Sequence, residues 1–190
     1  MIMRVKSLIV LLALVACLQQ GCTYTPILMR PVQEGTFGEE DIRDGKRRAI
    51  SYRDQSTVRV GMERNEYDGR LWLSVEVKSF NSGKIVFDPT DIKVKSSNPI
   101  HEYLKVFPPE EVVSKERKDD FWRALNAAQR GGTGVSLAPT IDALLLKANT
   151  LYNEQNIIGF VFCEYSKARR YEVIIPVGQD IHKLVFIPPR

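Results

Sequence analysis

From Ala49 onward, apolar and polar residues alternate along the chain with a period of two. Val58, Val60 and Met62 are separated by Arg59 and Gly61, and Leu71, Leu73, Val75 and Val77 by Trp72, Ser74 and Glu76. Successive side chains of a strand point to opposite faces, so this spacing predicts strands with one buried and one mixed face. Asn81-Ser82-Gly83-Lys84 predicts a turn, followed by a strand at Ile85-Val86-Phe87 that Asp88-Pro89 stops. Ile92 and Val94 alternate again, and Tyr103, Leu104, Val106 and Phe107 form a short apolar run before Pro108-Pro109. Ile157 to Cys163 is almost continuously apolar, which predicts a strand covered on both faces. Ser166-Lys167-Ala168-Arg169 predicts a turn, Tyr171 to Ile175 a returning strand, and Leu184 to Ile187 a last one. Short strands separated by turns, with no βαβ alternation, predict a mainly β fold built as an antiparallel sandwich.

The period changes in the middle of the chain. Phe121, Ala124, Leu125 and Ala128 recur at i, i+3, i+4 and i+7, the spacing of one helix face. Ile141, Leu144, Leu145, Ala148 and Tyr152 repeat it, with Thr140 placed as an N-cap after Pro139. Gly131-Gly132-Thr133-Gly134 separates the two runs, so residues 110–153 read as a two-helix insertion. Residues 18–45 hold no sustained period and are punctuated by Pro26, Pro31, Gly35 and Gly38. They predict a tether over 17–45 leading to a domain over 46–190, the alternative being that Tyr24 to Val32 packs along the domain as an edge segment.

Residues 1–16 have the layout of an export signal: Arg4 and Lys6, then the apolar stretch Leu8 to Ala16. As a helix this stretch falls short of the ~20 apolar residues that span a bilayer core. Leu14-Val15-Ala16-Cys17 resembles the lipobox of bacterial lipoproteins. That resemblance implies cleavage before Cys17, lipidation of its thiol (palmitate among the acyl groups) and a mature chain anchored by two or more acyl chains, enough for stable attachment. Cys22 follows Gly21 but has Gln19 where the lipobox has leucine, and is the alternative acceptor. Leu18 stands where an aspartate favours retention at the inner membrane, which points to the outer membrane, with its periplasmic and outward faces both open.

The strand and turn patterns Arg70 to Val77, Asp88-Pro89-Thr90-Asp91-Ile92, Gly159 to Phe162 and Val173 to Val177 resemble uncharacterised bacterial lipoproteins. In those, an immunoglobulin-like sandwich is interrupted by a helical stretch. The resemblance implies a fold and no activity, because none of these patterns is a chemical signature.

Composition changes this picture little. The 190 residues are 44% hydrophobic and 26% charged, as in ordinary globular proteins. The net charge of +4 includes Arg4 and Lys6; without them, 25 basic residues face 23 acidic ones, which gives no case for nucleic-acid binding. The two histidines, His101 and His182, have no partner at zinc-ligand spacing, and no nucleophile elbow or phosphate loop is present. Cys163 lies within an apolar run, where a structural thiol is expected, although pairing with Cys22 is open. Asp88 and Asp91 flank a Pro-Thr turn and are explained by it. Lys46-Arg47-Arg48 and Lys167 to Arg170 are basic groups suited to anionic headgroups or an acidic partner, or are simply solvated charges in a linker and a hairpin turn.

The expectation is therefore a non-enzymatic binding or structural module with no catalytic, cofactor or metal residues. Its partner surface is expected around Phe121, Trp122, Leu144, Arg169 and Arg170, facing an envelope protein. The alternative is an assembly or chaperone accessory of an envelope complex. An envelope hydrolase would need His101 or His182 to meet a carboxylate or Cys163 in a cleft.

Overall fold

The computed structural model describes residues 26–43, 45–65, 69–80, 83–97, 102–115 and 142–189. Their strands are β1 (Ile27–Leu28), β2 (Arg30–Val32), β3 (Glu39–Arg43), β4 (Lys46–Tyr52), β5 (Ser56–Asn65), β6 (Arg70–Ser79), β7 (Ile85–Phe87) and β8 (Lys93–Ser96). They continue with β9 (Glu102–Leu104), β10 (Val106–Phe107), β11 (Asn149–Leu151), β12 (Asn156–Glu164), β13 (Tyr171–Val177) and β14 (Asp180–Ile187). The fold is mainly β, its strand ladders are antiparallel, and two short helical segments lie at 109–115 and 142–144.

β5 and β6 form the longest hairpin, with Val58 opposite Val77, Val60 opposite Val75 and Met62 opposite Leu73. All six side chains are buried, so the period-two pattern lines one face of the hairpin with core residues. β12 lies on the far side of β6, with Val161 opposite Leu73 and Cys163 opposite Leu71. The first sheet runs β10-β12-β6-β5-β4-β3, with β1 added to β5, and the second runs β2-β14-β13-β8-β9. The pair β7 and β11 forms a third, two-stranded ladder. Residues of all three, among them Val60, Leu73, Phe87, Leu151, Val173 and Phe186, belong to one hydrophobic core. Each such side chain, fully buried, contributes roughly 1.5–3 kcal/mol.

Three expectations are corrected. Residues 27–43, assigned to the tether, contribute three strands: β1 pairs with β5, β2 with β14 and β3 with β4. Met29, between β1 and β2, is buried in the main core, so this stretch crosses from one sheet to the other. The edge-segment alternative describes Ile27 to Val32 better, and Pro31 sits in an edge strand, where its missing N–H costs no ladder bond.

The second expected helix is confined to 142–144 within the described residues. Leu145 bridges Phe160, the Leu146 N–H donates to the Phe160 carbonyl at 2.9 Å, and Asn149–Leu151 is strand β11. Consecutive leucines fit a helical face, but here Leu145 joins a small cluster on the outside of the first sheet and Leu146 the main core. The open partner β7 and these two burials outweigh local helix preference. Thirdly, Lys46-Arg47-Arg48 lies in strand β4 and not in a linker. Phe121 to Ala128, the first expected helix face, falls outside the described residues.

Gly159 is required where the return of the insertion crosses β12. A Cβ there would stand 2.7 Å from the Leu146 nitrogen and 3.1 Å from the Leu144 carbonyl oxygen, both backbone atoms. At Gly61 the nearest obstacle, also at 2.7 Å, is the Ser74 hydroxyl, which can rotate away. We therefore expect Gly159→Ala to cost about 1–3 kcal/mol and Gly61→Ala less than about 1 kcal/mol, read from urea midpoints. A Gly61 variant more damaged than the Gly159 variant would contradict this packing.

Candidate functional site

The outer face of the first sheet, solvent-facing in a simple two-sheet fold, carries a second hydrophobic cluster. Val112, Val113, Leu145 and Phe162 are buried there, with Trp72, Phe107 and Phe160 packed against them. The β6–β12 register sets Trp72 opposite Phe162, and their rings meet edge to face at 4.7 Å between centroids. Phe160 completes the arrangement at 6.1 Å from Trp72. After β10, Pro108-Pro109 opens the helical segment; proline suits the first turn of a helix because that N–H has no partner there anyway. The Glu111 N–H donates to the Pro108 carbonyl at 3.0 Å, and the Lys105 ammonium holds the Glu111 carboxylate at 2.8 Å. Arg70 and Lys105 stand over the Phe107 ring at 5.1 and 5.0 Å. The two stems of the insertion, 109–115 and 142–146, are thus held on one aromatic platform.

Two open hollows flank this base. One of about 360 Å³ is lined by Thr90, Ile92, Lys93, Tyr103, Leu104 and Val106. The other, of about 240 Å³, lies beside Asp142, Leu145, Leu146, Lys147, Ile157 and Ile158.

A separate polar chain crosses the interior. The β14 residue His182 is fully buried between two serines, with Nδ1 2.8 Å from Ser51 Oγ and Nε2 2.9 Å from Ser56 Oγ. Ser56 Oγ donates to Asp180 Oδ2 at 2.6 Å, which also accepts the Gln55 N–H at 3.0 Å. Ser51 Oγ meets Thr36 Oγ1 at 2.6 Å, and Thr36 Oγ1 accepts the Lys183 N–H at 2.8 Å. Because Ser56 gives its proton to Asp180, it accepts from His182 Nε2–H, leaving Nδ1 to accept from Ser51. One neutral tautomer therefore satisfies the whole chain, an assignment made from the network. Burial pushes the imidazole down to about 4, against the pull of Asp180 and with the help of Arg53.

These are the residue types of a serine hydrolase in a different order. The carboxylate bonds a serine and not the imidazole, and Ser51, Ser56 and His182 are all at 0% exposure. What the arrangement does chemically is tie β4 and β5 of the first sheet to β14 of the second. Cys163 is likewise at 0% exposure in the main core, its thiol pushed up by burial, away from the reactive thiolate. His101 and Cys22 lie outside the described residues.

Of the residues expected at a partner surface, Phe121 and Trp122 lie outside the described residues, as does the lipidation candidate Cys17. Leu144 is 49% exposed at the insertion stem, with its carbonyl beside Gly159. Arg169 is exposed in the β12–β13 connection, and Arg170 pairs with Glu34 at 2.6 Å, so these two sit on a different element from Leu144. The basic group of β4 is largely neutralised: Lys46 pairs with Glu63, Arg47 with Glu40, and Arg48 with Asp41 and Glu76. Asp88 caps its turn, accepting from the Thr90 N–H at 2.8 Å and the Thr90 hydroxyl at 2.7 Å, which holds its carboxyl below the usual range. Among the described residues no cluster of three or more His, Cys, Asp or Glu could hold a metal, and no helix is long and apolar enough to cross a membrane.

The serine–histidine chain was missed by motif reading, but parity carried a signal. Ser51 and Ser56 occupy the same inward positions as Ala49 and Val58 in their strands. Compared with protein-family models, characterised proteins and solved structures, the chain shows no significant match to any.

His182 makes stability depend on pH. Its folded value of about 4 lies below the unfolded ~6.5, so its contribution is complete above about 6.5 and is lost as pH falls toward 4. Between pH 7 and pH 5 this amounts to about 2 kcal/mol. Urea unfolding at the two pH values is expected to show that loss in the parent chain and a much smaller one in His182→Gln. Equal losses in both would remove His182 as the cause.

Proposed function

We propose that this chain is a lipid-anchored protein of the bacterial cell envelope, on the outer membrane, acting as a non-enzymatic binding or structural module. Its domain is an immunoglobulin-like sandwich that displays an insertion to a protein partner. The observation carrying this reading is the aromatic platform of Trp72, Phe107, Phe160 and Phe162, which secures both stems of the insertion on an outer sheet face. A segment without a role needs no dedicated core of its own, whereas recognition elements are characteristically loops positioned by a rigid scaffold.

Support for the immunoglobulin-like assignment comes from Tyr171 at the start of β13. Its hydroxyl donates to the Ser166 carbonyl at 2.6 Å and accepts the Ala168 N–H at 3.2 Å, and burial pushes its phenol up to about 12. A tyrosine opening a strand and bonded back to the preceding connection is the tyrosine corner of such sandwiches. Trp72 departs from that pattern, because it packs on the outer face and not in the shared core. Support for the anchor is Leu14-Val15-Ala16-Cys17 behind a positive, apolar leader. The accessory reading, assembly of an envelope complex, draws on the exposed Leu144 and Ile158 beside the insertion.

The test is in-cell crosslinking of the tagged protein with 116–141 replaced by a short Gly-Ser linker. The stems must stay, since Leu146 and β11 belong to the main core. Loss of the partner crosslinks with the urea midpoint preserved is the expected result; an unchanged crosslink pattern would exclude the insertion as the binding element. Mass spectrometry of the mature N-terminus is expected to find acyl chains on Cys17, and acylation at Cys22 or a free Cys17 would overturn the assignment.

A further inference from the structure

The chain joins its domain at one defined end. Ile27 pairs with Arg64 and Leu28 with Glu63, at the end of β5 next to the β5–β6 turn. β4 pairs with β5 only as far as Arg48 opposite Gly61, so β1 occupies the stretch of β5 beyond it. Immediately afterwards the Met29 N–H donates to the Met62 carbonyl at 2.9 Å, Met29 is buried, and β2 pairs with β14 in the other sheet. The first described strands are therefore fixed to both sheets.

Resting on the anchor reading above, we infer that this end of the domain faces the bilayer at headgroup distance and that the opposite end points away from it. The lipid surface is the partner. Only nine residues, ten Cα–Cα steps, separate Cys17 from Ile27, so the link spans at most about 35 Å however it is arranged. β5 and β6 are ten residues each, about 33 Å of strand. Turning the far end toward the membrane would consume nearly the whole contour of the link. With Cys22 as acceptor the limit falls to about 17 Å, and that orientation is out of reach.

Electrostatic attraction is not what sets the orientation. The described connections at this end carry Arg43, Lys46, Arg64, Arg70, Lys105, Lys167, Arg169 and Arg170 beside Glu63, Glu102 and Glu164. Lys46 pairs with Glu63, Lys105 with Glu111 and Arg170 with Glu34, and Arg64 and Arg70 lie over the Tyr165 and Phe107 rings. With most of these cations already engaged, the short link decides. The consequence for binding is that Tyr52, Phe80, Val86, Tyr152 and Ile181, all exposed and located toward the opposite end, are presented to the compartment and not to lipid.

The experiment uses the full-length lipidated protein in phosphatidylethanolamine–phosphatidylglycerol vesicles containing a nitroxide-headgroup lipid. Fluorophores are placed singly on Arg43→Cys or Arg169→Cys at the near end and on Asp54→Cys or Gln179→Cys at the far end, in a Cys22→Ser background. Near-end labels are expected to be quenched at least fivefold more than far-end labels. Equal quenching, or stronger quenching at the far end, with Cys17 acylated in the mass spectrum, overturns the orientation alone; absence of acyl chains from both Cys17 and Cys22 of the parent chain overturns the anchor reading and the orientation with it. Inserting ten Gly-Ser residues after Thr25 is expected to bring the ratio toward one. An unchanged ratio would assign the orientation to headgroup attraction and overturn the link-length argument.

Discussion

The ten-pair register between β5 and β6 is the constraint on which the rest of the structure depends. β4 and β1 attach to the outer edge of β5, and β12 attaches to the outer edge of β6. A slip of one residue in this hairpin would keep Val58 and Val60 inward but turn Leu73 and Val75 outward and bring Trp72 and Glu76 into the core, or do the reverse to β5. Both cores are therefore set by one alignment: the inward parity makes the main core, and the outward parity delivers Trp72 to the aromatic platform. The insertion stems are held only because that second parity is apolar at one end of the sheet.

At the other side of the same outer face, charge replaces aromatics. Glu76 receives Arg59 at 2.7 Å and Arg48 at 3.4 Å, and Arg48 holds Asp41 of β3 at 2.5 Å, so three salt bridges link four neighbouring strands. Exposed pairs contribute little singly, but Arg48 and Glu76 are mostly covered, and the network orders the edge of the sheet. It also satisfies the cations that looked available to a partner in the sequence. An edge strand bearing Glu39, Glu40 and Asp41 discourages further strand addition there.

Much of the β framework was legible in the sequence. Strands β5 and β6 follow from alternation, and β12, β13 and β14 from apolar runs bounded by turn residues. The elements missed are too short or too polar for a period to show: β1 and β2 have two and three residues and β11 three, and five-residue β3 has one apolar side chain, Ile42. β1, β2 and β11 owe their structure to partners far away in the chain, such as Val32 beside Val185. Leu144-Leu145-Leu146 misled for a related reason, since each leucine meets a different environment and no single face describes them. The platform was half visible: Trp72 read as a mixed-face position of β6 and Phe160 and Phe162 as part of a strand covered on both faces, but only the register brings them into contact. The His182 chain needed the pairing of β4, β5 and β14 before its five polar side chains could be seen as one system.

The crossover from β1 through Met29 to β2 has a mechanical meaning. A pull applied at residue 26 acts along strand axes, so the hydrogen bonds of β1 to β5 are loaded together in shear and do not open one at a time. Should those yield, the load passes to the buried Met29 side chain and then to β2, whose ladder belongs to the other sheet. Two sheets in series thus stand between residue 26 and the rest of the fold, and tension is taken up locally before it reaches the aromatic platform on β6 and β12.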